Sequence, residues 1–269
     1  MRTSIIKSKL ARGERTLVTT LHLTDPSIYE LTSLLGFDGI WMDLEHHAIS
    51  AERAAELMRA SRVGSTDVLA RPAKGEFMRM GRLLEAGASG ILYPRCSSAA
   101  EAAEVVRWAK FHPLGCRGFD GGNPDMPYCS MSMEEYIRVA NEETFVAIQI
   151  EDEEGLADAE AIASIDGVDL LFFGPSDYSV LCGIPGQSDH PKIQSAIDRV
   201  ARAARRAGKS WGTTTPSAEC ASVLVEKGAR LLACGADILM VKEGLEALQR
   251  EFAPLGFTFE NRLTARRRP

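Results

Sequence analysis

No apolar run in this chain approaches the roughly 20 residues that a helix needs to cross a bilayer, so a membrane span is excluded by length. The opening stretch MRTSIIKSKLARGERT likewise lacks the continuous apolar core of a secretory signal. Positive charge is in short supply: 31 Lys and Arg against 37 Asp and Glu leave a net charge of −6, which argues against any general affinity for nucleic acid or anionic membrane. The local exception, Arg266-Arg267-Arg268, sits at the terminus and reads as a frayed tail. Cysteine is sparse and unpatterned. The six at 96, 116, 129, 182, 220 and 234 contain no C-x-x-C spacing, and several lie in apolar, strand-like surroundings. They read as reduced thiols rather than a disulfide framework. Together these absences predict a soluble cytoplasmic protein.

What the chain does contain is alternation. Apolar, strand-like runs occupy 17–23, 39–44, 68–71, 90–93, 146–150, 170–173, 210–214 and 238–241. Amphipathic helical stretches follow them at 26–35, 50–61, 76–86, 99–110, 155–165, 192–207, 218–227 and 244–252, with a short opening helix at 5–10. Ser50 stands as the N-cap of its helix. Eight such units in this order predict a parallel (β/α)8 TIM barrel, and residues 1–269 have the length of one such domain with no linker. A doubly wound open sheet is the rival, and it requires the strand count to be wrong by two or more. One connection breaks the rhythm. Residues 111–131, FHPLGCRGFDGGNPDMPYCSM, are rich in Gly and Pro and too long for an ordinary loop. They read either as an active-site cover or as a subunit contact.

The stretch FVAIQIEDEEGLADAEAIASIDGVDLLFFGPSD, from Phe145 to Asp177, organises the chemistry. Two strands joined through a helix run parallel with a right-handed crossover. Neighbouring strand ends lie about 5 Å apart, so Glu151 and Asp177 are predicted to project from one rim. A pair of hard oxygen ligands suits a divalent cation of the Mg or Mn kind; singly, each acid could equally be a solvated strand end. In a barrel the reactive groups sit at the C-terminal ends of the strands. That rule collects Asp43, Glu45, His46, Arg71, Arg95, Gln149, Glu151, residues 174–177, residues 213–215, Lys242 and Glu243. Arg71 offers fixed positive charge for a developing oxyanion. His46 has the range to move a proton near neutral pH, and Asp43 could orient it.

The ordered motifs D-x-E-H at 43–46, R-P at 71–72, P-x-G-x-R-G at 113–118, Q-I-E at 149–151 and G-P-S-D at 174–177 resemble those of the HpcH/HpaI aldolase family, the metal-dependent (class II) pyruvate aldolases. The similarity spans about residues 15–245. It implies a (β/α)8 barrel whose C-terminal helix is exchanged between paired subunits, assembled as a hexamer, a trimer of dimers. It implies cleavage of a 4-hydroxy-2-oxo acid to pyruvate and an aldehyde, with Mg, Mn or Co as cofactor. By the same resemblance Glu151 and Asp177 bind the metal, and Gln149 lines the pocket. Arg71 contacts the pyruvate carbonyl and enolate, while His46, supported by Asp43, is the base through a metal-bound water. Backbone around Pro175 and Ser176 receives the carboxylate. The chain departs from the family pattern at Glu85, where Asp is common and reaches across the subunit interface towards the histidine. It departs again at His47-Ala48 and in the loop after Gly118.

Other readings compete. A Schiff-base aldolase needs a desolvated lysine, for which Lys242 at the end of the eighth predicted strand is the candidate. A metal-dependent lyase acting on a citrate- or malate-like acid, and a non-catalytic barrel used for sensing or assembly, complete the set. Arg95 is predicted either to pair with Glu85 or Glu101, or to hold an anionic group on the aldehyde.

Overall fold

The structure is a computed structural model that describes residues 2–263; the arginine cluster at 266–268 lies outside the described residues. Its element order is α1 (Ile5–Ala11), β1 (Thr16–Leu21), α2 (Pro26–Leu34), β2 (Gly39–Asp43), α3 (Ala51–Ala60), β3 (Asp67–Arg71), α4 (Phe77–Ala86), β4 (Gly90–Tyr93) and α5 (Ala99–Ala109). It continues with α6 (Met133–Glu143), β5 (Phe145–Ile150), α7 (Glu153–Ala157), α8 (Ala159–Ala163), β6 (Leu170–Phe173), α9 (Pro175–Leu181) and α10 (Pro191–Arg206). The last elements are β7 (Ser210–Thr214), α11 (Ala218–Glu226), β8 (Leu231–Ala236) and α12 (Asp237–Phe252). The eight strands close in sequence order into a parallel barrel, β8 pairing with both β7 and β1. This is the (β/α)8 architecture, and it excludes the open sheet.

Two apolar layers build it. Val18, Trp41, Leu69, Leu92, Phe145, Leu170, Phe172 and Leu231 fill the barrel interior, with Ile6 of α1 plugging its N-terminal end. The other face of each strand packs against the helices. Helix α10 shows why the helices form: Ile193, Ala196, Ile197, Val200, Ala201 and Ala204 fall on one face and are buried, while Arg202, Arg205 and Arg206 face out. Ser50 caps α3 as expected, its side chain accepting from the Arg53 amide.

The eighth strand is a correction. Residues 238–241 belong to α12, and β8 is the stretch LLACGA just before it. The run Ile238-Leu-Met-Val has strand-like composition, yet closing the barrel demands hydrogen bonds along both edges, and LLACGA makes them. Asp237 marks the switch. Its carboxylate accepts the backbone amides of His22 and Leu23 beyond β1, at 2.8 and 2.9 Å, and that of Ile238 at 2.7 Å. Lys242 and Glu243 therefore leave the rim; Lys242 lies on α12, half exposed and paired with Glu246 at 2.8 Å. Smaller differences lie elsewhere. The helix expected at 155–165 is two short ones, α7 and α8, and Asp177 stands in the first turn of α9 rather than at a strand end.

The long connection packs at the end of α5, where Cys116 and Arg117 donate their amides to the carbonyls of Arg107 and Lys110. Helices in this fold run antiparallel to the strands, so the C-terminus of α5 marks the N-terminal face of the barrel. Inside the loop Arg117 and Asp125 form a buried pair at 3.0 Å, Tyr136 donates to the same carboxylate at 2.7 Å, and the guanidinium lies 4.8 Å over the Phe111 ring. The segment cannot cover its own active-site mouth.

Candidate active site

The site is built from neighbouring strand ends. Asp43 and Arg71 are register partners on β2 and β3, so their side chains rise side by side into the mouth. Arg71 clamps Asp43 in a two-point pair, Nε to Oδ1 at 3.0 Å and Nη2 to Oδ2 at 2.7 Å. Both are buried, 6% and 3% exposed. Burial works to raise the Asp43 carboxyl, but the Arg71 hydrogen bonds and charge prevail and hold it below its ordinary range. Beneath, the Trp41 ring lies 4.7 Å from the guanidinium and packs edge-on against Phe172. Arg71 is thus fixed from two directions.

The loop after β2 folds back on Asp43, whose Oδ1 accepts the amides of Glu45 at 3.0 Å and His46 at 3.3 Å. The His46 ring is more than half exposed, and its Nε2 lies 3.6 Å from Glu45 Oε2. The imidazole nearest Asp43 is that of His47, at 3.9 Å. It stacks on His22, ring centroids 4.3 Å apart. Burial, then the neighbouring His47, lowers the pKa of His22.

On the opposite side Glu151, 2% exposed, accepts from Gln149 Nε2 on Oε1 at 2.8 Å and from the Arg95 amide on Oε2 at 3.0 Å. Burial first, then the negative charge of Asp177, pushes its carboxyl up to about 8, partly offset by Arg71. Gly174 makes this possible, because a side chain there would overlap Glu151 Oε1. Arg95 contributes through its backbone. It is held at φ 50°, a strained conformation for a non-glycine residue, and so aims its N–H at Glu151. Neither pairing expected for its side chain forms: Glu101 is taken by Lys74 and Tyr93. Glu85, near the C-terminus of α4, is raised by burial and feels Arg117, Asp120 and Asp125 of the long connection.

Glu45 and Glu151 thus both feel the charge of Arg71, which Asp43 already holds, and Asp177 adds its negative charge to both. Gln149 Oε1 and Glu45 Oε2 are buried acceptors with no hydrogen-bond donor among the described residues. Both are oxygens able to take positive charge or a proton, while Trp41 Nε1 beneath Arg71 is a buried donor without a partner among the described residues. No group of three or more His, Cys, Asp or Glu side chains is placed to hold a metal ion among the described residues; Glu151 and Asp177 are close enough for each charge to act on the other. Trp41, His22 and the Arg95 amide were not among the groups singled out from sequence, and Gly174 was collected at the rim without this role. Only Trp41 carried a signal, as a large aromatic inside an inward-facing strand position.

Comparison with known proteins agrees with this geometry. The model of the HpcH/HpaI aldolase/citrate lyase family matches residues 18–243. A hydroxypyruvate/pyruvate aldolase of Pseudomonas aeruginosa is 32% identical over 246 residues, 91% of each chain. A 4-hydroxy-2-oxo-heptane-1,7-dioate aldolase of Salmonella typhimurium is 29% identical over 246 residues, 91% of this chain and 93% of that one. The crystal structure of an HpcH/HpaI aldolase from Desulfitobacterium hafniense matches with a TM-score of 0.86 at 31% identity, covering 91% of this chain and 96% of that one. With a strand-end arginine and paired carboxylates in one barrel mouth, and a family match over nearly its whole length, the chain belongs to the HpcH/HpaI aldolase/citrate lyase family and is a carbon–carbon lyase.

Proposed function

We propose that this enzyme reversibly cleaves a 4-hydroxy-2-oxo acid to pyruvate and an aldehyde, with a divalent cation, Mg, Mn or Co, held by Glu151 and Asp177. The observation that carries the reading is the convergence of the buried Glu151 with the clamped guanidinium of Arg71 in one mouth, close enough for each charge to act on the other. The donor set fits a hard cation. A carboxyl pushed up to about 8 by burial and by a second carboxylate regains its charge when a cation replaces the proton. When bound, the cation polarises the carbonyl of the oxo acid. Arg71 places its positive charge where negative charge develops as the C3–C4 bond breaks. Because Asp43 and Trp41 already hold it, it need not reorganise during the reaction. His46 removes the proton of the 4-hydroxyl in cleavage and returns it in addition. Gln149 lines the pocket, and backbone around Pro175 and Ser176 at the start of α9 receives the carboxylate of the oxo acid.

The working form is proposed to be a homo-oligomer, a trimer of dimers with α12 exchanged between partners. In support, α12 buries only Asp237 and exposes Ile238, Val241, Leu245, Leu248 and Phe252 along one stripe. The segment 111–131 and Glu85, at the far end of this barrel, then belong to a subunit contact. Six free cysteines support a reducing, cytoplasmic setting.

The test incubates the purified protein with pyruvate, a panel of aldehydes and Mg, Mn or Co, and reads products by mass. The expected result is an aldol adduct that disappears in chelator and returns with cation. Product that survives chelation, together with borohydride trapping of pyruvate on the protein, would overturn the reading in favour of Schiff-base chemistry.

A further inference from the structure

We propose that the stacked imidazoles of His22 and His47 form the subsite for the aldehyde part of the substrate, and that they select acceptors carrying a hydroxyl group beside the carbonyl. The proposal rests on the aldolase reading and names the substrate class within it.

His22 follows β1 directly and His47 lies four residues beyond the end of β2. The two strands are neighbours, paired as far as Leu21 and Met42. Both rings therefore stand on the carboxyl-end rim of the barrel, where its chemistry lies. They are held there by two fixed loops. Asp237 accepts the amides of His22 and Leu23 at 2.8 and 2.9 Å, and Arg53 of α3 donates to the Thr24 carbonyl. Asp43 Oδ1 accepts the Glu45 and His46 amides, and the His47 carbonyl accepts the Ile49 amide at 2.8 Å. The rings meet with centroids 4.3 Å apart and planes 33° from parallel. His47 Nε2 lies 3.9 Å from Asp43 Oδ2, the oxygen that Arg71 clamps, so the pair borders the reacting centre. Position 47 is also one at which the chain departs from the family pattern.

The course of the substrate decides what the pair meets. In the proposed reaction Glu151, Asp177 and Gln149 serve the oxo acid on the β5 and β6 side of Arg71, and His46 takes the 4-hydroxyl proton on the β2 side. Carbons beyond C4 then continue along the β1 and β2 rim, towards His22 and His47. Stacking spends the ring faces on each other and leaves the edges for a ligand. His47 Nε2 stops short of a hydrogen bond to Asp43. Two positive charges do not share so short a stack. Burial, then His47, disfavours protonation of His22 against the opposing pull of Asp237 and Asp43, and Arg71 adds to the disfavour. A neutral imidazole presents one N–H donor and one lone-pair acceptor. A hydroxyl group complements that edge, because it both donates and accepts. An alkyl chain would cover ring nitrogens without partnering them, and a carboxylate would face lone pairs as well as donors.

Two measurements test this. The first compares the addition of pyruvate to glycolaldehyde and to propanal, which differ by a hydroxyl in place of a methyl. Intrinsic reactivities cancel between proteins, so the readout is the change in the ratio of kcat/KM values. The His22→Ala, His47→Ala double variant is expected to lower the glycolaldehyde preference about 10- to 100-fold, as for two neutral hydrogen bonds. His47→Gln, which keeps a donor and an acceptor, is expected to retain more of the preference than His47→Ala. A ratio that the double variant leaves unchanged would overturn the proposal. So would a double variant that instead loses preference for glyoxylate, since the pair would then hold an anion. The second uses ring-15N-histidine protein without cation or pyruvate, in which two of the five histidine signals are assigned by their loss in the single variants. Glycolaldehyde is expected to shift both signals and propanal neither; equal shifts, or none with glycolaldehyde, would sink the assignment. This readout needs no aldol product, so the subsite and the aldolase reading fail separately.

Discussion

At the scale of single residues, the site depends on how little room surrounds Glu151. Gly174→Ala places a methyl group 2.1 Å from Glu151 Oε1, too close for the carboxylate to keep its position. We expect this variant to keep its circular dichroism while losing cation affinity by calorimetry and at least 100-fold in turnover; near-normal cation binding would show that Glu151 is not the ligand. The same carboxyl makes a prediction about pH. Burial, reinforced by Asp177, raises it to about 8 from an ordinary 4.5, so the folded chain binds a proton that the unfolded chain has released between those values. Its contribution to stability is therefore whole below about pH 4.5 and lost as pH rises through 8. Cation affinity moves the other way, rising with pH up to about 8, because the ligand must ionise. Thermal melts in chelator should decline over this window for wild type and much less for Glu151→Gln. Parallel curves for the two proteins would place the proton elsewhere.

At the scale of elements, α12 is the outlier. Helices such as α10 bury one face against the barrel, whereas Ile238, Val241, Leu245, Leu248 and Phe252 of α12 are 39–59% exposed while lying on a common stripe. An apolar stripe along a 16-residue helix in water is unfavourable at about 25 cal/mol per Å², and a second copy of the chain is the covering that the proposed assembly supplies. The double variant Leu245→Glu, Leu248→Glu should shift the particle to smaller mass by light scattering while the barrel's far-ultraviolet spectrum persists. An unchanged mass would mean that α12 is not an interface. Lys242, on the same helix and paired with Glu246, is far from any Schiff-base role.

At the scale of the whole molecule, both ends of the barrel hold buried charge. The C-terminal mouth carries Glu151, and the N-terminal end carries Asp67 and a buried lysine. Lys110, 1% exposed, donates to the carbonyls of Asn141 and Thr144, and burial lowers its pKa to about 7 from 10.5. Here the folded chain has lost a proton that the unfolded chain keeps, so stability rises with pH between about 7 and 10.5. The gain should be on the order of 2–4 kcal/mol after discounting for relaxation. Denaturant unfolding at pH 7 and at pH 10 measures it. Lys110→Met should flatten the slope, and a slope that survives would assign it to other groups.

The alternation of apolar runs and amphipathic helices determined the barrel and seven of its eight strands, because both periods record which face of a local segment is buried. The same local pattern placed Asp43, Arg71, Gln149 and Glu151 at strand ends. What it could not determine were properties made by residues distant in the chain. LLACGA is a strand because it bonds to β1 and β7 at once, although the more apolar Ile238–Val241 lies beside it. Arg95 serves Glu151 through an amide 56 residues away in sequence, which no reading of side chains reveals. Segment 111–131 was legible as a functional loop, but only the antiparallel course of α5 assigns it to the end opposite the mouth. Asp43 is clamped by an arginine from the next strand, a partner that a local pattern does not contain.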